Sequence, residues 1–385
     1  MVKVDMRVLL DVSAVPKQPV GAGIYTVEIA RGLAQRDDVE LHLLARTSDD
    51  RWAQLCPTAT VHNEVPEARP LRLAWERWRG ARFAAKIHCD LWHGPHYTLP
   101  QGLRCATVVT IHDLTFFDLP ETHQRFKVGF FRRAILANAR SATMTLCVSK
   151  ATADRLREIV PDHAPITVAH HGVDHHRFRV NRNPAEAEAD RALLADRGVS
   201  GDFIAFVGTI QPRKALPTLT AAFAALRSDY PEFRLVIAGG DGWGTTELLD
   251  AIREHGVATS VVRLGYVDDA TVAALYRQAT VVAYPSLAEG FGLPALEAMA
   301  CGAALVTTSG TAMDEFLADA AITAPPGDAA ALTIALRSAL EAPTQHHLRE
   351  RGPQVAAEFT WSACVDTHVG AYGLAITAVS SPPKN

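Results

Sequence analysis

The chain has 385 residues, of which 48% are hydrophobic and 21% charged, with a formal net charge of −4. This length suits two globular domains, and a bulk charge this small gives no reason to expect a nucleic-acid partner. No apolar run approaches the length of a membrane-spanning helix. Six cysteines without Cys-x-x-Cys spacing and an N-terminus without a signal-peptide pattern predict a cytoplasmic protein.

Strands and helices alternate in the N-terminal part of the chain. Short apolar runs predict strands, and an amphipathic helix is predicted over residues 26–35 between the first two of them. The predicted strands cover residues 7–12, 40–45, 90–93, 106–111 and 144–148. A β-α-β series of this kind predicts a parallel sheet with helices on both faces.

A glycine pair, Gly21 and Gly23, follows the first predicted strand and precedes its helix. A dinucleotide-binding turn would place a third glycine at position 26, where this chain has Thr26. This difference argues against a nicotinamide-dependent dehydrogenase and leaves a loop whose backbone can approach a ligand.

Residues 69–85 are rich in arginine and tryptophan and predict a basic amphipathic helix. Trp75 and Trp78 are three positions apart, so both should lie on one helix face, flanked by Arg72, Arg79 and Arg82. Such a face suits an anionic membrane surface. The alternative is a helix packed on the core, with arginines that extend to solvent.

His112 and Asp113 close the predicted strand at 106–111, so their side chains fall at its carboxyl end. The histidine is interpreted as either a satisfied core residue or a ligand contact. Further along, His170, His171, His175 and His176 form a dense cluster. Such a density of histidines suggests metal ligation.

A second strand-helix series begins near residue 202. Its predicted strands are 203–207, 234–238, 261–264, 279–284 and 304–307, and a polar stretch at 173–201 separates it from the first series. We therefore predict one domain over residues 1–180, a second over 200–360 and a C-terminal helix over 361–377.

Two turns of the second series carry charged residues. Arg213 and Lys214 follow the strand at 203–207 and indicate either a solvated basic loop or a diphosphate site. Glu289 and Glu297 flank a Gly-rich turn in which Pro294 fits the start of a helix. Free N–H groups at a helix start suit phosphate, whereas the two carboxylates suit the hydroxyls of a sugar or ribose.

The segment 285–302 resembles the retaining glycosyltransferases of family 4, whose signature has two glutamates separated by seven residues. The run Gly208 to Lys214, the segment 112–120 and Phe359-Thr360-Trp361 extend the resemblance. It implies an α/β protein of the GT-B fold, in which two Rossmann-like doubly wound parallel-sheet domains face each other across a cleft. It also implies that the histidines at 170–176 lie at the crossover between the domains rather than in a metal site, and that the helix over 361–377 crosses back to pack on the first domain.

The resemblance also implies a role for each site residue. Glu289 would contact the donor sugar and Glu297 the ribose. Arg213 and Lys214 would neutralise the diphosphate, and His112 would contact the sugar near the reacting carbon. Further donor contacts, mostly through the backbone, are expected from Gly21, Gly23, Gly208, Tyr266, Val267, Phe291, Gly292 and Leu293, and an acceptor contact from Asp113.

The implied activity is transfer of a hexose with retention, preferably mannose from GDP-mannose, to a glycan or a lipid-linked acceptor. An Asp-x-Asp metal motif is missing, so neither a metal ion nor a cofactor is expected. UDP-glucose and UDP-N-acetylglucosamine stay open as donors. A non-catalytic nucleotide-sugar-binding protein is expected to have lost at least one of the charged or histidine residues of the site. All five are present: His112, Arg213, Lys214, Glu289 and Glu297. We expect a cytoplasmic enzyme with peripheral contact to the inner face of the plasma membrane.

Overall fold

The computed structural model describes residues 6–380, which form two compact units. The first unit comprises residues 6–172 and 361–380, and the second comprises residues 173–360. The predicted first domain, 1–180, therefore extends past the division in the structure. The reason is that Val173 already belongs to the second unit, where its N–H donates to the Phe359 carbonyl at 3.2 Å.

Seven parallel strands form the sheet of the first unit. They are β1 (Met6–Asp11), β2 (Val39–Arg46), β3 (Thr60–Val65), β4 (Leu91–Gly94), β5 (Ala106–Ile111), β6 (Met144–Cys147) and β7 (Ile166–Val168), in the order β3-β2-β1-β4-β5-β6-β7. The sequence did not predict β3 and β7. Both lie at edges of the sheet, and polar residues interrupt the apolar pattern of β3.

Six helices of the first unit connect these strands. They are α1 (Ala22–Ala34), α2 (Arg51–Leu55), α3 (Arg69–Lys86), α4 (Thr115–Asp118), α5 (Arg125–Ser141) and α6 (Lys150–Ile159). The strand order reverses between β1 and β4, which pair directly. In doubly wound sheets, ligands bind outside the carboxyl ends of the strands at such a reversal.

The second unit repeats this plan with six parallel strands. They are β8 (Phe203–Val207), β9 (Arg234–Ala238), β10 (Val261–Gly265), β11 (Val281–Tyr284), β12 (Leu305–Thr308) and β13 (Ala321–Ala324), in the order β10-β9-β8-β11-β12-β13. The central strands are buried almost throughout, as expected for a parallel sheet covered on both faces. Here the order reverses between β8 and β11.

Eight helices belong to the second unit. They are α7 (Pro184–Ala195), α8 (Leu216–Leu226), α9 (Thr245–Glu254), α10 (Asp269–Gln278), α11 (Leu293–Ala300), α12 (Asp314–Leu317), α13 (Ala329–Leu340) and α14 (Ala342–Ala356). The α7 helix is rich in alanine and acidic residues and lies within the polar stretch at 173–201 that separates the two predicted series. Asn183 caps its start by accepting a hydrogen bond from the Glu186 N–H.

The last helix, α15 (Trp361–Ser380), packs within the first unit. Its Val365 lies against Gly32 of α1, where a Cβ atom would come within 2.4 Å of a Val365 methyl carbon. Two buried hydrogen bonds add specificity: Tyr25 Oη lies 2.7 Å from His368 Nε2, and Tyr372 Oη lies 2.8 Å from His93 Nδ1. These contacts explain why the C-terminal helix belongs with the first sheet.

Candidate active site

Two loops of the second unit meet where its strand order reverses. One loop follows β8 and contains Arg213 and Lys214, and the other follows β11 and contains Glu289. The Leu287 N–H donates to the Arg213 carbonyl at 2.8 Å, which ties the loops together. The two predicted charged motifs are therefore neighbours in the folded chain.

The charged side chains of these loops form a compact cluster. Lys214 Nζ lies 2.5 Å and Arg213 Nη1 2.9 Å from the same oxygen, Glu289 Oε1. The side chain of Arg213 is only 18% exposed, that of Lys214 7% and that of Glu289 8%. This arrangement excludes the interpretation of the Arg-Lys turn as a freely solvated basic loop.

The cluster of Arg213, Lys214 and Glu289 carries a net positive charge. Burial alone would raise the pKa of Glu289, but the charges of Arg213 and Lys214 outweigh burial and lower the pKa to about 2. The carboxylate is therefore ionised at neutral pH. Two cations around one carboxylate leave an excess of positive charge, which suits a phosphate ligand.

Tyr284 is a member of this cluster that sequence reasoning missed. It is the last residue of β11, its hydroxyl accepts a hydrogen bond from Lys214, and the Lys214 ammonium lies 4.4 Å from the ring centroid. The ring therefore fixes the lysine by a cation–π contact as well as a hydrogen bond. A tyrosine at the carboxyl end of the strand before the Glu-containing turn is the signal that could have revealed it.

The turn after Glu289 ends at the start of α11. Gly292 has a φ of 101°, and a Cβ there would lie 2.5 Å from Met313 Cγ, so only glycine fits. Pro294 occupies the first turn of α11, as predicted. The rings of Phe291 and Phe316 pack 5.3 Å apart in the interior, so Phe291 and the buried Leu293 offer backbone rather than side chains to a ligand.

Glu297 lies in the second turn of α11 and keeps partial solvent access. Burial and the nearby charge of Asp269 raise its pKa to about 8, although Arg177 and the Tyr276 hydroxyl act in the opposite direction. Its carboxyl is therefore largely protonated near neutral pH, unlike that of Glu289. Sequence reasoning missed Arg177 because it lies far from Glu297 along the chain.

The remaining predicted donor contacts of the second unit follow its strands. Gly208 comes directly after β8, and Tyr266 and Val267 come directly after β10. The Tyr266 side chain is 52% exposed, and an ion pair between Arg263 and Asp241 joins the segment before it to the loop after β9. These positions share the carboxyl edge of the sheet with the charged cluster.

The first unit carries the glycine loop. Gly21 precedes α1 with a φ of 48°, a left-handed conformation, and no atom lies within 4 Å of the position a Cβ would take. Gly23 is the second residue of α1 and packs against Pro19. Both glycines therefore lie beyond the carboxyl end of β1.

His112 is buried directly after β5, and its Nε2 lies 2.7 Å from the Pro95 carbonyl oxygen. A carbonyl only accepts, so Nε2 carries the proton and Nδ1 is an acceptor. Burial lowers the pKa of His112, which keeps the ring neutral. Asp113 stabilises the following turn, since its Oδ1 accepts from the Thr115 N–H at 3.1 Å and hydroxyl at 2.6 Å, and its contact with the acceptor stays a prediction.

The histidine cluster divides between the units at Gly172. His171 is buried in the first unit, and His175 Nε2 lies 3.1 Å from the Phe359 carbonyl oxygen in the second. Within residues 6–380, no three His, Cys, Asp or Glu side chains are grouped so that they could hold a metal ion. Over the same residues, every helix is too short or too polar to cross a membrane.

Comparison with solved structures defines the class of the fold. Sucrose-phosphate synthase from Thermosynechococcus elongatus superposes with a TM-score of 0.77 over 97% of this chain and 100% of its own, at 20% identity. HepE from Anabaena in complex with UDP-glucose gives a TM-score of 0.73 over 98% and 100% of the two chains, also at 20% identity. The fold is that of the GT-B glycosyltransferases.

Sequence comparison identifies the family. The model described as Glycosyltransferase Family 4 matches residues 19–177, and the model of glycosyl transferases group 1 matches residues 197–355. O-antigen chain mannosyltransferase B of Escherichia coli is 32% identical over 79% of this chain and 78% of its own. D-inositol 3-phosphate glycosyltransferase of Stackebrandtia nassauensis is also 32% identical, over 78% and 68%. The chain belongs to glycosyltransferase family 4, which confirms the resemblance found in the sequence.

Proposed function

We propose that this glycosyltransferase moves a hexose, with mannose from GDP-mannose as the preferred donor, to a glycan or lipid-linked acceptor. The observation that carries the proposal is the buried cluster of Arg213, Lys214 and Glu289 at the strand reversal of the second unit. Its excess positive charge suits a diphosphate, and its carboxylate suits sugar hydroxyls. The name of the Escherichia coli relative supports mannose.

In the proposed reaction, the bond between the anomeric carbon and the diphosphate oxygen breaks while the acceptor oxygen bonds to the same face of that carbon. Because attack and departure occur on the same face, the configuration is retained, and the acceptor proton passes to the leaving phosphate. Arg213 and Lys214 stabilise the charge that develops on the leaving nucleotide. Because two side chains supply this charge, the proposed reaction needs no metal ion.

Each glutamate has a separate proposed task. Glu289 is held ionised by Lys214 and accepts hydrogen bonds from hydroxyls of the donor sugar. Glu297, with its pKa of about 8, can both donate to and accept from the ribose hydroxyls near neutral pH. The contact of His112 with the sugar stays a prediction, supported by its neutral ring and its place after β5.

A donor screen tests this function. The melting temperature of the full chain is measured with GDP-mannose, UDP-glucose, UDP-N-acetylglucosamine and NAD, and the best donor is then assayed for nucleotide release. A ligand that binds only the folded state raises the melting temperature. We expect the largest shift from GDP-mannose and none from NAD. A larger shift from a UDP-sugar would support the alternative donors, and no shift from any sugar nucleotide would overturn the proposal.

The second part of the proposal concerns a membrane. Helices α3 and α5 carry six and five cationic residues, and Glu76, which is buried, is their single acid. Burial and, to a smaller extent, the charge of Arg69 at the start of α3 lower the pKa of Lys127 at the start of α5. This concentration of positive charge in a chain of net charge −4 complements an anionic lipid surface.

Exposed apolar side chains accompany these cations, but they are not all the ones predicted. Trp78 is 69% exposed, whereas Trp75 is 9% exposed and packs 5.7 Å from Phe83 in the core. The predicted shared face of the two tryptophans is therefore wrong, because the helix uses Trp75 to pack on its own unit. Leu71 and Phe126, 59% and 67% exposed, take its place at the helix starts. We propose that this basic patch, the exposed residues of α3 and α5, docks on anionic phospholipid.

A further inference from the structure

The strand reversal of the first unit carries acids where that of the second unit carries cations. Asp11 ends β1, and Glu76 lies in the second turn of α3, the helix that leads into β4. Their exposed fractions are only 8% and 7%. Two buried carboxyl groups therefore lie where a doubly wound sheet binds its ligand.

The fold leaves part of this acidic pair unsatisfied. Asp11 Oδ1 accepts from the Ser13 N–H at 3.0 Å, but the buried Glu76 Oε2 has no hydrogen-bond partner. Over residues 6–380, neither carboxyl group forms an ion pair, in contrast to Glu289. A buried carboxyl oxygen without a partner costs free energy, and a hydroxyl donor that reached it would remove that cost.

The electrostatics of the pair agree with this view. Burial and the charge of Asp11 raise the pKa of Glu76 to about 7, and burial raises the pKa of Asp11. Arg72 and the Thr98 hydroxyl act on Glu76 in the opposite direction without cancelling the effect. A carboxyl group with a pKa of about 7, such as that of Glu76, can donate to or accept from a hydroxyl group near neutral pH.

The polar groups around the pair are also suited to hydroxyls. His96 and Thr98 lie in the loop after β4, and His96 Nε2 lies 3.2 Å from Thr26 Oγ1 at the start of α1. Burial, the charge of His112 and, to a smaller extent, the charge of Arg72 lower the pKa of His96 to about 3. This imidazole is therefore neutral. Two buried acids repel a phosphate and can accept hydrogen bonds from a sugar ring.

We infer that Asp11 and Glu76 bind the hydroxyl groups of an uncharged sugar residue of the acceptor. This inference rests on the proposed function, since it assigns the acceptor of the same reaction. It makes a neutral glycan end the preferred acceptor and disfavours a phosphorylated polyol at this position.

Sugar binding without any donor tests the inference. The full chain at pH 8 is titrated with methyl α-D-mannopyranoside and with myo-inositol 1-phosphate, and the dissociation constants are obtained by saturation-transfer difference NMR. Glu76→Gln removes the charge at constant shape, and Asp11→Asn is a second variant. Glu64→Gln, at an exposed position of β3, is the matched control.

We expect the mannoside to bind wild type and Glu64→Gln alike and to bind Glu76→Gln about tenfold more weakly, the scale of a hydrogen bond to a charged group. The phosphorylated polyol should bind wild type more weakly than the mannoside. Equal mannoside affinity in folded Glu76→Gln, tighter binding of the phosphorylated polyol, or no mannoside signal would each overturn the inference. A failed donor screen would instead defeat the proposed function, because the two measurements share no ligand.

Discussion

Lys214 and Glu289 are 75 positions apart in the chain, yet the Lys214 ammonium lies 2.5 Å from a Glu289 carboxylate oxygen. Both side chains are nearly buried, so neither charge is well solvated without the other. The pair holds the glutamate ionised and the lysine beside the predicted diphosphate site. Replacing either residue should therefore alter the charge of the whole site.

We predict that Lys214→Ala and Glu289→Ala each lower hexose transfer at least about 100-fold, the usual scale of such electrostatic contributions. Transfer rates with saturating donor measure the effect, and circular dichroism checks the fold. Glu232→Ala, at an exposed position of the same unit, should leave the rate unchanged. Near-normal turnover in either folded site variant would remove the site assignment.

Glu297 should make the protein less stable as the pH rises. Its pKa is raised from 4.5 in the unfolded chain to about 8 in the fold, so the folded state binds more protons between these values and its stability falls with pH across that window. Glu297→Gln cannot ionise, so at pH 8 it should melt at least about 3 °C above wild type, since 1 kcal/mol shifts a chain of this kind by a few degrees.

The same variant separates stability from function. The difference in melting temperature between Glu297→Gln and wild type should shrink as the pH approaches 5, while the donor KM should rise at every pH. If Glu297→Gln has the same melting temperature as wild type at both pH 5 and pH 8, the Glu297 carboxyl has an ordinary pKa in the folded protein and the prediction is wrong.

Transfer should survive treatment with EDTA, because Arg213 and Lys214 neutralise the diphosphate in the proposed reaction. Activity is measured after dialysis against the chelator and again after addition of Mg²⁺ or Mn²⁺. Less than a twofold change is expected in each step. Complete loss restored by either metal would contradict the proposed mechanism and would direct attention to the histidines at 170–176.

The basic patch should bind vesicles that contain phosphatidylglycerol and should not bind vesicles of phosphatidylcholine alone. Because each surface cation contributes about 1 kcal/mol to such binding, Arg77, Arg79 and Arg82 changed together to Ser should lower partitioning roughly 100-fold at low salt. Vesicle sedimentation measures it. An Arg191→Ser/Arg253→Ser variant, in which both positions are exposed and lie in the second unit, should sediment like wild type. If the patch variant also does so, the docking proposal is wrong and a soluble acceptor becomes preferable.

The continuous motifs explain how much of the fold could be predicted. The strand, turn and helix around Glu289 and Pro294 are encoded within twenty residues by an apolar run, two glycines and a proline, so local rules suffice. Apolar runs likewise predicted the central strands of both sheets. The edge strands β3, β7 and β13 were not predicted, because a strand paired on one side needs less apolar surface.

The sequence predicted which charged residues belong to the candidate site, but it did not predict which of them contact each other. The sequence alone determined the family, the two sheets and the residue types at the strand ends, since each depends on local pattern. Only the tertiary structure decided that Lys214 pairs with Glu289, that Trp75 points inward and that Glu76 keeps an unsatisfied oxygen. The reason is that ionisation and burial depend on groups distant in the chain, which the order of strands in a sheet brings together.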